Sequence, residues 1–79
     1  MEMTPTQCRA ARALVSWTQQ QLADAAKVGV ATLQNFETGV STPRNATLEV
    51  LERALRDAGV VFLDKGEVVD GGEGVRLRK

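Results

Sequence analysis

Asn35 carries a donor and an acceptor side by side on one planar amide, an arrangement that can meet the N6 amine and N7 of an adenine edge together. Ala31 stands four residues earlier, preceded by Val30. Their side chains cannot hydrogen-bond, and the apolar contact they offer suits a thymine methyl. Thr32 and Gln34 lie in the same run and can reach a base or a phosphate. With Leu33 and Phe36 turned inward at helical spacing, Val30, Ala31, Thr32, Gln34 and Asn35 are left wholly or partly outward. Two flanking groups have the chemistry of phosphate contacts. Thr18 and Gln19 open an earlier helix, whose first turn presents free N–H groups at the positive end of the helix dipole. Ser41, Thr42 and Arg44 lie in the polar, turn-rich loop after Gly39.

Other chemistries are poorly served. The chain has no histidine and one cysteine, Cys8. The commonest general base is missing, no Ser/His or Cys/His pair can be assembled, and a zinc site would have to rest on Cys8 and carboxylates. No enzymatic activity, metal or cofactor is expected, and no internal disulfide can form. Cys8 reads as a small buried hydrophobe, the alternative being a reactive thiol. Ten basic and ten acidic residues cancel. Neutralising phosphates supplies most non-specific affinity for a duplex, so DNA binding here requires the positive charges to be gathered on one face. No Lys or Arg falls within the Val30–Phe36 run, which predicts moderate affinity and A·T character at the positions read.

The elements that position these residues are legible from local signals. Thr4-Pro5-Thr6-Gln7 is a helix start with a capping box and a proline at the first helical position. That helix should reach about Val15, with Cys8, Ala11, Leu14 and Val15 inward. Arg9 and Arg12 lie together outside, as a solvated face or as phosphate or partner contacts. Trp17 reads as core or core-edge. Thr18 and Gln21 make a second capping box for a helix to about Lys27, with Leu22, Ala25 and Ala26 on one face. Val28-Gly29 breaks the run, with Gly29 free to take unusual backbone angles or to serve as a cap. A third helix runs from Val30 to about Thr38 and closes at Gly39. Asn45 can cap a fourth, from Ala46 to about Ala58, with Leu48, Leu51, Ala54 and Leu55 as its apolar stripe and Gly59 as its end. Glu49–Arg53 and Glu52–Arg56 are spaced as exposed helical ion pairs.

Two short helices joined by a turn, the second with a small polar outer face, form a helix-turn-helix pattern. The residues Thr18-Gln19, Leu22-Ala23, Ala26, Val28, Leu33 and Glu37 before Gly39 resemble those of the Cro/repressor-type (XRE) DNA-binding domains, over roughly residues 5 to 59. Members often carry Ser or Thr where this chain has Gly29, and frequently a basic residue near Val30. The resemblance implies a mainly α, lambda-repressor-like helix-turn-helix domain of four main helices. It also implies base contacts from Val30, Ala31 and Asn35, phosphate contact from Gln19, and a structural role for Glu37, paired with a basic residue of the first or second helix.

After Gly59 the period changes. Val60–Leu63 reads as a strand, Asp64-Lys65-Gly66 as a turn, Glu67–Asp70 as a returning strand and Val75–Arg78 as a third, a short C-terminal β-strand/hairpin appendage. So short a tail needs a packing partner. It can pair with its twin across a two-fold axis, fold back on its own domain, or bind another protein. Arg76, Arg78 and Lys79 read equally as DNA contacts or as a disordered, solvated terminus. The expected organisation is a DNA-binding domain over residues 1–59 and a dimerisation tail over 60–79. The expected protein is a repressor that binds double-stranded DNA as a homodimer. The alternatives are an antitoxin of a toxin–antitoxin pair and an interaction module that keeps the fold without DNA. No stretch approaches the ~20 apolar residues of a membrane span, so a cytoplasmic location is expected.

Overall fold

The computed structural model describes residues 3–63 and 74–77. The elements are α1 (Pro5–Leu14), α2 (Gln19–Ala26), α3 (Val30–Glu37), α4 (Asn45–Asp57), β1 (Val60–Leu63) and β2 (Gly74–Leu77). Both expected capping boxes form. The Thr4 and Thr18 hydroxyls accept from the N–H groups of Gln7 and Gln21, whose side chains accept from the cap N–H groups in return. Asn45, expected as a cap, is instead the first residue of α4. Arg44 holds the N-cap position in an extended conformation, with no side-chain capping bond.

Each helix stops at a residue with left-handed backbone: Ser16, Lys27, Gly39 and Gly59. After α3 the N–H of Gly39 bonds the Phe36 carbonyl and that of Val40 bonds the Asn35 carbonyl, a Schellman motif that satisfies the otherwise orphaned carbonyls. The same pair of bonds follows α1, through Ser16 and Trp17, and α2, through Lys27 and Val28. The turn between α2 and α3 therefore pivots on Lys27. Gly29 sits at ordinary extended angles as the N-cap of α3 and uses none of its conformational freedom.

One core joins all the elements. Cys8 and Ala11 of α1, Leu22 and Ala23 of α2, Leu33 and Phe36 of α3, and Leu48, Leu51 and Leu55 of α4 are buried together with Met3, Val60 and Phe62. Trp17 packs at its edge, half-buried. β1 and β2 pair antiparallel with Val60 opposite Leu77 and Leu63 opposite Gly74. Val60 and Phe62 thus share the core-facing side. The expected strand over Glu67–Asp70 lies outside the described residues, as do Arg78 and Lys79.

Gln7 fastens this pair of strands to α1. Its side chain is buried; Oε1 accepts from Thr4 N–H, and Nε2 donates to the carbonyls of Leu63 and Gly74 at 3.1 and 3.2 Å. One amide therefore completes a helix cap and closes the end of the ladder. On α4, Arg56 pairs with Glu52 at 2.8 Å as expected and lies over the Phe62 ring, 5.2 Å from its centre.

Candidate nucleic-acid interface

α3 is amphipathic at single-residue resolution. Leu33, Phe36 and Glu37 are buried, while Ala31, Thr32, Gln34 and Asn35 are exposed. At ~100° per residue, Ala31, Gln34 and Asn35 share a narrow sector and Thr32 flanks it. Val30, expected among these residues, is half-buried and packs against the core. The amides of Gln7, Gln19, Gln20 and Gln21 are all engaged inside the chain, Gln20 with Asp24 at 2.8 Å. Those of Gln34 and Asn35 make no internal bond and face solvent.

The orientation of α3 is fixed at its last residue. The Glu37 carboxylate is 1% exposed and takes four bonds. Arg12 Nε and Nη2 each reach it at 2.7 Å, Gln19 Nε2 at 3.0 Å and the Cys8 thiol at 3.1 Å. Arg9 donates to the Glu37 carbonyl, and Arg12 Nη1 to that of Trp17 at 3.0 Å. Donors from α1 and α2 thus converge on one side chain of α3. Burial acts to raise the Glu37 pKa, but the bonds from Arg12, Gln19 and Cys8 together hold it below the ordinary carboxylate value. The bond to Glu37 raises the Arg12 pKa against its own desolvation. Burial, then the neighbouring Glu37, pushes the Cys8 thiol far above its usual value, which makes it an inert donor.

Arg12 is therefore an internal clamp, and Arg9 is tied to the α3 backbone. The expectation that both arginines lie outside is corrected for Arg12, which is engaged internally, while Arg9 is exposed as expected. Sequence reasoning placed a basic partner for Glu37 on the first or second helix without identifying it. The missing signal was position: Arg12 lies one residue from buried Ala11 and one turn beyond Cys8, at the border of the inner face.

The flanking residues surround this helix. Thr18 is exposed, its hydroxyl accepting the capping bond. Gln19 opens α2 and reaches Glu37 through its side chain, which brings the N-terminus of α2 beside the C-terminus of α3. Ser41, Thr42 and Arg44 are exposed, and the Ser41 N–H is anchored on the Asn35 carbonyl at 3.2 Å. The start of α2 and the start of the following loop thus both meet the C-terminal half of α3, through Gln19 at Glu37 and Ser41 at Asn35. Among the described residues there is no cluster of His, Cys, Asp or Glu fit to hold a metal, and no helix long and apolar enough to cross a membrane.

A family model described as helix-turn-helix matches residues 9–56, from the middle of α1 to the end of α4, more than half of the chain. No significant match to a curated protein is found.

Proposed function

The chain belongs to the Cro/repressor-type (XRE) helix-turn-helix family, whose members are DNA-binding transcription regulators, and from that premise we propose a specific mode of action. The protein is a repressor that binds a pseudo-palindromic operator as a homodimer, α3 of each copy entering a major groove. Asn35 and Gln34 read base edges, Asn35 favouring adenine, while Ala31, with Val30 at its flank, meets thymine methyls. Thr32 reaches a base or phosphate. Thr18 and Gln19, through the first turn of α2, and Ser41, Thr42 and Arg44, through the loop, hold phosphates on either side. Repression follows from occlusion of the site. The C-terminal strands join the two copies.

The observation that carries this reading is the contrast among the amides. Four glutamines are engaged internally, whereas Gln34 and Asn35 stand exposed and unbonded on the outer sector of α3. The experiment is selection of bound duplexes from a random pool, followed by salt titration. An inverted repeat with A·T pairs in each half-site is expected. Asn35→Ala should cost about 1–3 kcal/mol of discrimination at one base position. Arg44→Ala should weaken all sequences alike and lower the salt slope by about one. Enrichment of no sequence would refute the reading and favour an interaction module.

A further inference from the structure

We infer that Lys27, in the turn between α2 and α3, holds a phosphate of the duplex beside the N-terminus of the reader helix. The inference deepens the DNA-binding reading and rests on it. With basic and acidic residues in equal number, a DNA-binding face needs cations without internal partners beside α3. Arg12 is the clamp on Glu37, and Arg9 is tied to the Glu37 carbonyl and to Thr6. Arg56 pairs with Glu52 on α4, which also carries Arg53, and Arg76 lies on β2. Lys27 and Arg44 lie instead in the two segments joined directly to α3. Both are exposed, and neither side chain has a partner among the described residues.

The two cations flank opposite ends of α3. Gln19 meets Glu37 at the C-terminal end, where the loop leading to Arg44 also begins. The residues proposed to hold phosphates, Thr18, Gln19, Ser41, Thr42 and Arg44, therefore all lie on segments that meet that end. A recognition helix meets base edges with its N-terminal residues, so the other end is the one seated in the groove. Val30 and Ala31 open it, and neither side chain can bond a phosphate. Lys27 stands three residues before Val30 and is the nearest cation in the sequence to that end. No acidic residue lies between Lys27 and Glu37, whose carboxylate is paired with Arg12, and the preceding Asp24 accepts from Gln20 at 2.8 Å.

Lys27 also sits where glycine would fit better. Its backbone is left-handed, with φ 59° and ψ 43°, a conformation that glycine adopts freely and a β-carbon resists. The bonds that make the turn are all from the backbone: the Lys27 N–H donates to the Asp24 carbonyl and the Val28 N–H to that of Ala23. The lysine side chain contributes no bond to the turn. What lysine supplies and glycine would not is an exposed ammonium group. A residue that breaks a local rule with no return in the fold points to function, and a phosphate is what this position can serve.

The test compares the full chain with Lys27→Gly, Lys27→Asn and Lys27→Arg on the duplex that wild type selects. Lys27→Gly should melt at a higher temperature yet bind more weakly. The loss should be about eightfold for each copy bound at about 0.1 M salt and shrink as salt rises, because about 0.9 of a counterion is no longer released. Lys27→Asn, which tolerates left-handed backbone and carries no charge, should bind as weakly as Lys27→Gly, and Lys27→Arg as tightly as wild type. Neutralising phosphates one at a time as methylphosphonates locates the contact. One position should weaken wild type and leave Lys27→Gly unchanged, and it should differ from the position coupled in the same way to Arg44→Ala. Lys27→Gly binding as wild type, while Arg44→Ala lowers the salt slope, would overturn the role of Lys27 and leave the DNA-binding reading standing. Weaker binding by Lys27→Gly with no coupled phosphate would trace the loss to the turn itself and overturn that role too. A wild-type chain that selects no duplex would overturn both.

Discussion

Arg12→Met tests the clamp on α3 most directly. The substitution keeps the aliphatic stem and removes both guanidinium bonds to Glu37, leaving a carboxylate at 1% exposure with only the Gln19 amide and the Cys8 thiol. Breaking one side of a buried pair costs about 3–5 kcal/mol, chiefly because the surviving charge is stranded. A chain of 79 residues has about 4–12 kcal/mol of stability in all, so the loss brings it near unfolding. Glu37→Gln should cost less, about 2–3 kcal/mol, because Arg12 is 18% exposed and can turn toward water. The double variant Arg12→Met/Glu37→Met strands neither charge, and its cost should fall below the sum of the singles by about 2 kcal/mol or more. Urea melts of these variants beside wild type, followed by circular dichroism, give the cycle. A cost under about 1 kcal/mol for Arg12→Met, or additive singles, would refute the argument that donors on α1 and α2 fix α3 through this carboxylate.

Other expectations follow from the same geometry. Because the folded pKa of Glu37 is depressed, its contribution is complete above the ordinary carboxyl value of 4.5 and is lost as pH falls through the lower folded value; Glu37→Gln should flatten that part of a stability-versus-pH curve. Lys27→Gly relieves a left-handed residue and should raise stability by about 0.5–1 kcal/mol, read as about 2–8 °C in Tm. Gln7→Leu removes the bonds to the Leu63 and Gly74 carbonyls and the bond from Thr4 N–H, and should cost about 1–3 kcal/mol, with hydrogen exchange accelerated in β1 and β2 before α2 and α3.

The helix boundaries were legible where the chemistry that sets them is local. Thr4 with Gln7 and Thr18 with Gln21 announce their helices within four residues, and Gly39 and Gly59 announce two ends. The ends at Ser16 and Lys27 were not legible, because neither residue type prefers left-handed backbone and only the tertiary structure imposes it. The outward sector of α3 followed from the spacing of Leu33 and Phe36, but Val30 lies at its edge and turns toward the core. Asn45 looked like a cap, yet capping is decided by backbone, and the extended residue is Arg44. The partners of Glu37 and Gln7 were out of reach for a common reason. Arg12 is 25 residues from Glu37, and Gly74 is 67 from Gln7, beyond any local pattern.

That last separation has a consequence for how the protein is made. The bond from Gln7 to Gly74 draws together an early and a late part of the chain, and it cannot exist until Gly74 has been synthesised. The α4 helix, which ends at Asp57, is complete 17 residues sooner. At roughly 5–20 residues per second, synthesis leaves an interval of about 1–3 seconds, while helices form in about a microsecond. During that interval α1 to α4 are present in the synthesised chain without β2. Val60 and Phe62 then lack the strand that later covers them, and the Gln7 amide lacks one of its acceptors. The pairing of β1 with β2 is therefore the last part of the fold that synthesis makes possible.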